Sequence, residues 1–188
     1  MPRLFTAIDL TDDARDQLQV WFRDFTLPGM RKTRPGIWHL TTHFIGDVDE
    51  DRVEQFAEAV PTSVAATTSF QMSVTGFACL PDTRRPRVFV METDTPTTLT
   101  HLVASTSAVL APLGFTPDER PYRPHITLGR FRGSRRRWHI DLSRIPPLSL
   151  TWPIDHLTLY RSTLTPDGPI YDVVRRAAFA VANSSSNH

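Results

Sequence analysis

A single cysteine, Cys79, stands in a chain of 188 residues. That excludes an internal disulfide and a cysteine-rich metal site. Net charge is nearly absent as well: 21 Lys and Arg against 20 Asp and Glu leave +1. Bulk electrostatics give no push toward nucleic acid, so any basic surface has to be local. No apolar run is long enough to span a bilayer, and Met1-Pro2-Arg3-Leu4 opens without the apolar core of a signal peptide. The expectation is a soluble, cytoplasmic protein with no membrane partner. There is no Gly-rich Lys-Ser/Thr loop to cradle a nucleoside triphosphate, and no His-Glu-x-x-His. What is present is a hydrophobic fraction of 40%, enough for a globular core in one domain or two small, intimately packed lobes.

Strands and helices alternate. Arg3 to Asp9 reads as a strand. Thr11 caps a helix whose first turn holds Asp12 and Asp13, and Ala14, Leu18, Trp21, Phe22 and Phe25 give it one apolar face before Pro28-Gly29 ends it. Ile37 to Ile45 is a strand turned by Gly46-Asp47. Val53, Phe56, Ala57 and Val60 mark a helix stopped by Pro61. Phe70 to Phe77 and Arg87 to Glu92 read as strands. Pro96 opens a helix with Leu99, Leu102, Val103, Leu110 and Leu113 as its stripe and Gly114 as its stop. His125 to Arg130, Ile154 to Arg161 and Tyr171 to Phe179 are strands, the last two joined by Thr165-Pro166-Asp167-Gly168-Pro169. Three basic clusters, Arg31-Lys32-Thr33-Arg34, Arg84-Arg85-Pro86-Arg87 and Arg135-Arg136-Arg137, lie among Pro, Gly and Ser and read as loops. The polar stretch 183–188 reads as a frayed tail. Together these predict one α+β domain over 1–182, built as two lobes with the motif strands facing a cleft.

The segment Trp38-His39-Leu40-Thr41-Thr42-His43 recurs in reduced form at Pro124-His125-Ile126-Thr127-Leu128, 86 positions further on. Each copy carries a His, any residue, then a Thr in a strand-like run. Side chains alternate faces along a strand, so the His and Thr of each copy point the same way. One such tripeptide means nothing, since Thr is an ordinary β-former and a lone strand His is usually structural. Two copies on two strands predict a duplicated half-site. Two imidazoles flanked by hydroxyls suit acid–base work on a phosphate: a neutral His takes a proton from the nucleophile while a protonated one gives a proton to the leaving oxygen. Thr41 and Thr127 can donate to phosphate oxygens, and Arg130 can add a charge-assisted contact, although it lies past Gly129 where alternation can break. His43 shares the face of His39 under strict alternation, which places it in the substrate cleft or at its rim. Thr42 points the other way. His101, His139 and His156 have no partner motif and read as structural or surface residues. His39 and His43 are four apart, a spacing that gathers metal ligands on a helix but not on a strand, and neither motif contains an acid. Metal-free catalysis is expected. The residues alone leave open which histidine is acid and which is base.

The chain resembles the two-histidine (2H) phosphoesterases, and within them the RNA 2',3'-cyclic phosphodiesterases, formerly called 2'-5' RNA ligases. The resemblance runs from Arg3-Leu4-Phe5-Thr6-Ala7-Ile8, through His39 to Gly46 and Arg123 to Arg130, to Leu159-Tyr160-Arg161-Ser162 and the Pro-Asp-Gly hairpin ending at Tyr171. Thr42 departs from it, standing where the family usually has an apolar residue. The resemblance implies a bilobal α+β fold with pseudo-two-fold symmetry. In it, two antiparallel sheets face a central cleft, helices lie outside, and each lobe supplies one motif. It further implies His39 as proton donor to the leaving 3'-oxygen and His125 as proton acceptor from water. Thr41, Thr127, Arg130 and His43 are then expected to bind substrate, with no metal and no cofactor. The implied partners are RNA with 2',3'-cyclic phosphate ends or cyclic nucleotides. Separately, Arg130 and a basic loop, Arg135-Arg136-Arg137, are expected to contact the RNA backbone, and the protein is expected to be a monomer. Three readings follow: hydrolysis to a 2'-phosphomonoester; 2'-5' ligation or 2'-5' oligonucleotide cleavage at the same site, with an RNA 5'-hydroxyl in place of water for ligation; or a non-catalytic nucleotide- or RNA-binding module.

Overall fold

The computed structural model describes residues 1–118, 120–131, 140–166 and 168–180. The expected tail, the Arg135-Arg136-Arg137 loop, His139 and Asp167 lie outside these residues. The chain runs β1 (Arg3–Asp9), α1 (Asp12–Arg23), β2 (Met30–Lys32), β3 (His39–Asp47), α2 (Val53–Val64), β4 (Phe70–Leu80), β5 (Val88–Thr93), α3 (Thr97–Leu110), β6 (His125–Phe131), β7 (Thr151–Ile154), β8 (His156–Thr165) and β9 (Gly168–Ala178).

The strands form an antiparallel array in the order β7-β4-β5-β6-β3-β1-β8-β9, with β2 added to β6. The two expected sheets are its two halves. They meet at one residue pair, Leu40 on β3 with Ile126 on β6. Each motif strand is thus the inner edge of its own half, and the seam brings the motifs together. Residues Leu4, Thr6 and Ile8 point to one face of β1 and are buried; Phe5, Ala7 and Asp9 point to the other. The buried face carries the helices. Helix α1 covers the β4–β5 half, where Trp21 stacks on Phe77 at 4.4 Å and Phe22 and Phe25 reach Phe89. Helices α2 and α3 pack on each other, α2 against β8 and β9 and α3 against β3. No described helix is long and apolar enough to cross a membrane.

Local signals behave as the sequence predicts at Thr11, whose hydroxyl accepts from the Ala14 amide; Gly114, at φ +87°, caps not α3 itself but the 3-10 turn Ala111–Leu113 that follows it. Four expectations are corrected. Helix α1 stops at Arg23, before Pro28-Gly29, because Lys32 Nζ reaches back to donate to the Phe22 and Arg23 carbonyls at 2.6 and 2.9 Å. Pro61 does not stop α2. It sits in the last turn, where Ser63 Oγ donates to the Val60 carbonyl and burial of Val60, Ser63 and Val64 outweighs the one lost backbone bond. The first basic cluster is not wholly a loop, since Arg31 and Lys32 belong to β2 and pair with Arg130 and Gly129. The run from Ile154 to Arg161 is two strands. It breaks at Asp155, where the chain leaves β4 in one half of the array for β1 in the other.

Candidate active site

Both motifs fold with the same irregularity. On β3, Ala7 pairs with Thr41 and Thr6 with His43, so Thr42 is an extra residue. On β6, Val90 pairs with Thr127 and Phe89 with Gly129, so Leu128 is extra. Each is a β-bulge one position after the motif Thr, and a bulge inverts the alternation beyond it. His39 and Thr41 therefore share the cleft with Phe44, and His125 and Thr127 share it with Arg130. Phe44 and Arg130 occupy pseudo-equivalent places, both lining the cleft.

The same bulge removes His43. Sequence alternation places it in the cleft, but the structure buries it on the helix side, 4% exposed. Its Nε2 lies 3.1 Å from the Val103 carbonyl and 2.9 Å from Ser107 Oγ, and its Nδ1 lies 3.1 Å from Thr6 Oγ1. A carbonyl only accepts, so Nε2 carries the proton and Thr6 donates to Nδ1. Thr42 then donates to Thr6 at 2.7 Å. Burial lowers the His43 pKa to about 4, despite the Val103 carbonyl. The departure at Thr42 is thus accommodated in a buried hydroxyl chain.

The two histidines that remain are fixed alike. His39 Nδ1 donates to the Ile37 carbonyl at 2.9 Å, and His125 Nδ1 donates to the Arg123 carbonyl at 2.8 Å. Each carbonyl belongs to the residue two before its histidine. Each bond sets the tautomer, with the proton on Nδ1. His39 Nε2 lies 3.1 Å from Thr41 Oγ1. An aromatic wall surrounds His39: Phe5 at 4.8 Å, Tyr171 edge-on at 5.1 Å and Tyr160 at 6.3 Å between ring centroids. Burial lowers the His39 pKa, the Ile37 carbonyl and the Asp9 carboxylate raise it, and Arg15 and Arg130 lower it; the net direction is down.

The cleft encloses about 310 Å³, at the small end for a ligand site. Its charged lining is cationic: Arg31, Lys32, Arg34 and Arg130. Lys32 is committed to the end of α1, and Arg34 donates to the Pro169 carbonyl at 3.2 Å. Among the described residues, Arg31 and Arg130 have no ion-pair partner. The sequence reading placed Arg130 here but missed Arg31 and Arg34, as well as Phe5, Phe44 and Tyr171. Phe5 and Tyr171 lie in the β1 and hairpin segments that carry the resemblance, Phe44 in the first motif segment and Arg31 and Arg34 in the first basic cluster, signals that gave position but not role. The segment 33–38 locks the motifs together: Thr33 donates to the Thr127 carbonyl and accepts from Trp38 Nε1, both at 2.9 Å. Among the described residues no group of three His, Cys, Asp or Glu side chains is placed to hold a metal ion. His101 is exposed on α3, and His156 lies between Asp9 and Asp155.

The two His-x-Thr strands meet at the seam of a bilobal array, and their His and Thr line one cleft whose charged lining is cationic. The LigT-like phosphoesterase model matches the chain twice, over 8–90 and 91–171, one match for each motif. The chain belongs to that family. It is 31% identical to the RNA 2',3'-cyclic phosphodiesterase of Thermotoga maritima over 94% of this chain and 95% of that one. It is 30% identical to the enzyme of the same name from Methanothermobacter thermautotrophicus, over 90% and 94%. Among solved structures, TT0787 of Thermus thermophilus superposes with a TM-score of 0.78 at 25% identity, covering 94% of this chain and 97% of that one. Escherichia coli LigT bound to 3'-AMP superposes at 0.79 and 24% identity, over 96% and 99%, and shares the fold.

Proposed function

We propose that the protein hydrolyses the 2',3'-cyclic phosphate at an RNA end to a 2'-phosphomonoester, by two-histidine acid–base catalysis without a metal. The observation that carries this reading is the matched pair of imidazoles. Each has Nδ1 committed to a backbone carbonyl and Nε2 left to a single cationic cleft. The names of the relatives in Thermotoga and Methanothermobacter supply the substrate class.

In the proposed reaction, His125 Nε2 accepts a proton from water as the water oxygen bonds to phosphorus. The bond from phosphorus to O3' breaks, and His39 Nε2 donates its proton to O3'. The proton gained by His125 and the one lost by His39 are exchanged with solvent, restoring the starting state. Arg130 and Arg31 face the non-bridging oxygens, where guanidinium groups offset phosphate charge. Thr41 and Thr127 supply hydroxyls on the same face. A bound anion also opposes the effect of burial on His39 and favours the imidazolium that the acid role requires.

The test is a 2',3'-cyclic-phosphate oligoribonucleotide incubated with the protein in EDTA, with the product isomer identified by NMR or by selective phosphatase treatment. A 2'-phosphate is expected. A 3'-phosphate product reverses the assignment of the leaving oxygen. Activity lost in EDTA and restored by one divalent ion refutes the metal-free step.

A further inference from the structure

Each catalytic histidine has a carboxylate directly across the ladder: Asp9 pairs with His39 and Glu92 with His125. Directly paired residues on antiparallel strands hold their Cβ atoms about 5 Å apart on one face. The pseudo-symmetry ends at the partners of those carboxylates. Asp9 is 11% exposed and, among the described residues, is bound from the far side of β1. Tyr160 and Thr158 on β8 donate to it at 2.7 and 2.9 Å, His156 at 3.2 Å, and Arg176 on β9 stands off at 3.8 Å. Since β1 lies between β3 and β8, the Asp9 carboxylate stands between His39 and its own counter-cations. Glu92 is held instead by Arg123, which donates to it through Nε at 2.9 Å and through Nη2. Arg123 precedes His125 on its own side of the ladder and also provides the carbonyl that fixes it. The cation here stands on the histidine side of the carboxylate.

We propose that this inverted order of charges assigns the two roles: Asp9 is the positioning residue that holds the proton on His39, while the Arg123–Glu92 pair leaves His125 without such support and so keeps it a base. The inference rests on the two-histidine reading above. The groups facing His39 are Asp9 from β1, Arg15 from α1, Arg130 from β6, Tyr160 from β8 and Tyr171 from β9. Among these, Asp9 alone is anionic at neutral pH. Burial pushes the Asp9 pKa up, but hydrogen bonds from His156, Tyr160 and Thr158 and the charge on His156 hold it below the usual value. Asp9 is thus ionised at neutral pH.

Two variants with opposite signs test this. Asp9→Asn keeps the shape and removes the charge. His156→Gln keeps Asp9 and removes a counter-cation. NMR titration of the imidazole nitrogens reads the His39 pKa directly, whatever its role in turnover. Asp9→Asn is expected to lower it by about one pH unit, within the range for a nearby opposite charge. His156→Gln is expected to raise it, a change that general loosening does not produce. In pH–rate profiles, Asp9→Asn moves the descending limb to lower pH and leaves the ascending limb in place. An unchanged His39 titration in both variants overturns the role of Asp9 and leaves two-histidine catalysis standing. A shifted titration with an unmoved pH–rate profile shows that Asp9 acts on His39 but not through the proton that turnover uses, which overturns the role assignment. Arg123→Gln is expected to lower kcat while leaving the His39 titration in place, and unchanged turnover refutes the second half of the proposal.

Discussion

Replacing His43 with Phe isolates a proton that the fold excludes. His43 is 4% exposed, and burial holds its pKa near 4 against an ordinary 6.5. The unfolded chain therefore binds a proton between these values that the folded protein does not. Stability rises with pH wherever the unfolded state binds more protons. The His43 contribution is present above about pH 6.5 and is lost as pH falls from there toward 4. A difference of about 2.5 pH units in proton affinity amounts to about 3 kcal/mol, a large share of a typical folding free energy. Phe retains a ring against Phe115, which meets His43 edge-on at 5.4 Å. Thr6 and Thr42 remain bonded to each other, and Ser107 can turn to the Val103 carbonyl one turn back in its helix. Urea unfolding followed by circular dichroism from pH 4 to 7.5 measures both proteins. The stability advantage of wild type over His43→Phe should shrink by about 3 kcal/mol toward pH 4. His156 works in the opposite sense. Its pKa is raised, chiefly by Asp9, so its contribution is full below the unfolded value and fades as pH climbs through the raised one. The wild-type-minus-variant difference removes that background. A difference constant across the range would refute the buried-neutral account of His43.

Other outcomes follow from the same geometry. His39→Ala and His125→Ala should each lower turnover by about 10²–10⁴-fold with an unchanged melting curve, because loss of a general acid or base costs about that much; steady-state kinetics and calorimetry check both halves. The wild-type pH–rate profile should be a bell, since one imidazole works neutral and the other charged, and a flat profile from about pH 5 to 9 under chemistry-limited conditions would exclude the scheme. Arg31→Ala and Arg130→Ala should each reduce the salt slope of RNA binding by about 0.7–0.9 for every phosphate the variant no longer neutralises, read by fluorescence anisotropy over a salt series. Phe89→Ala should cost about 3–5 kcal/mol, because a fully buried ring lies between α1 and β4, in contact with Phe22, Phe25 and Phe77.

Local chemistry was legible in the sequence and long-range pairing was not. The His-x-Thr repeat announces itself because its period of two needs no partner to be read, and Thr11 and Gly114 act on their own backbone neighbours. Pro61 misleads because its penalty is local while the burial that outweighs it comes from α3, β8 and β9, elements distant in the chain. Arg31 and Lys32 read as loop because three residues on a β6 edge have no periodicity of their own. The break at Asp155 is invisible because both flanking runs are strand-like, and only their partners differ.

Residue type and short-range period were enough to specify the duplicated motif, the shared face of each His and Thr, the alternation of strands and helices, and the membership of the chain in its family. Those are properties of short segments. Where the faces turn over is a matter of three-dimensional pairing. A bulge exists between two strands, not within one, and the bulges at Thr42 and Leu128 carry Phe44 and Arg130 into the cleft and His43 out of it. The charges around the two histidines are set the same way. Asp9 and Glu92 are 30 and 33 positions from the histidines they face. Pairing across the ladder, not proximity in the chain, sets the field each imidazole feels.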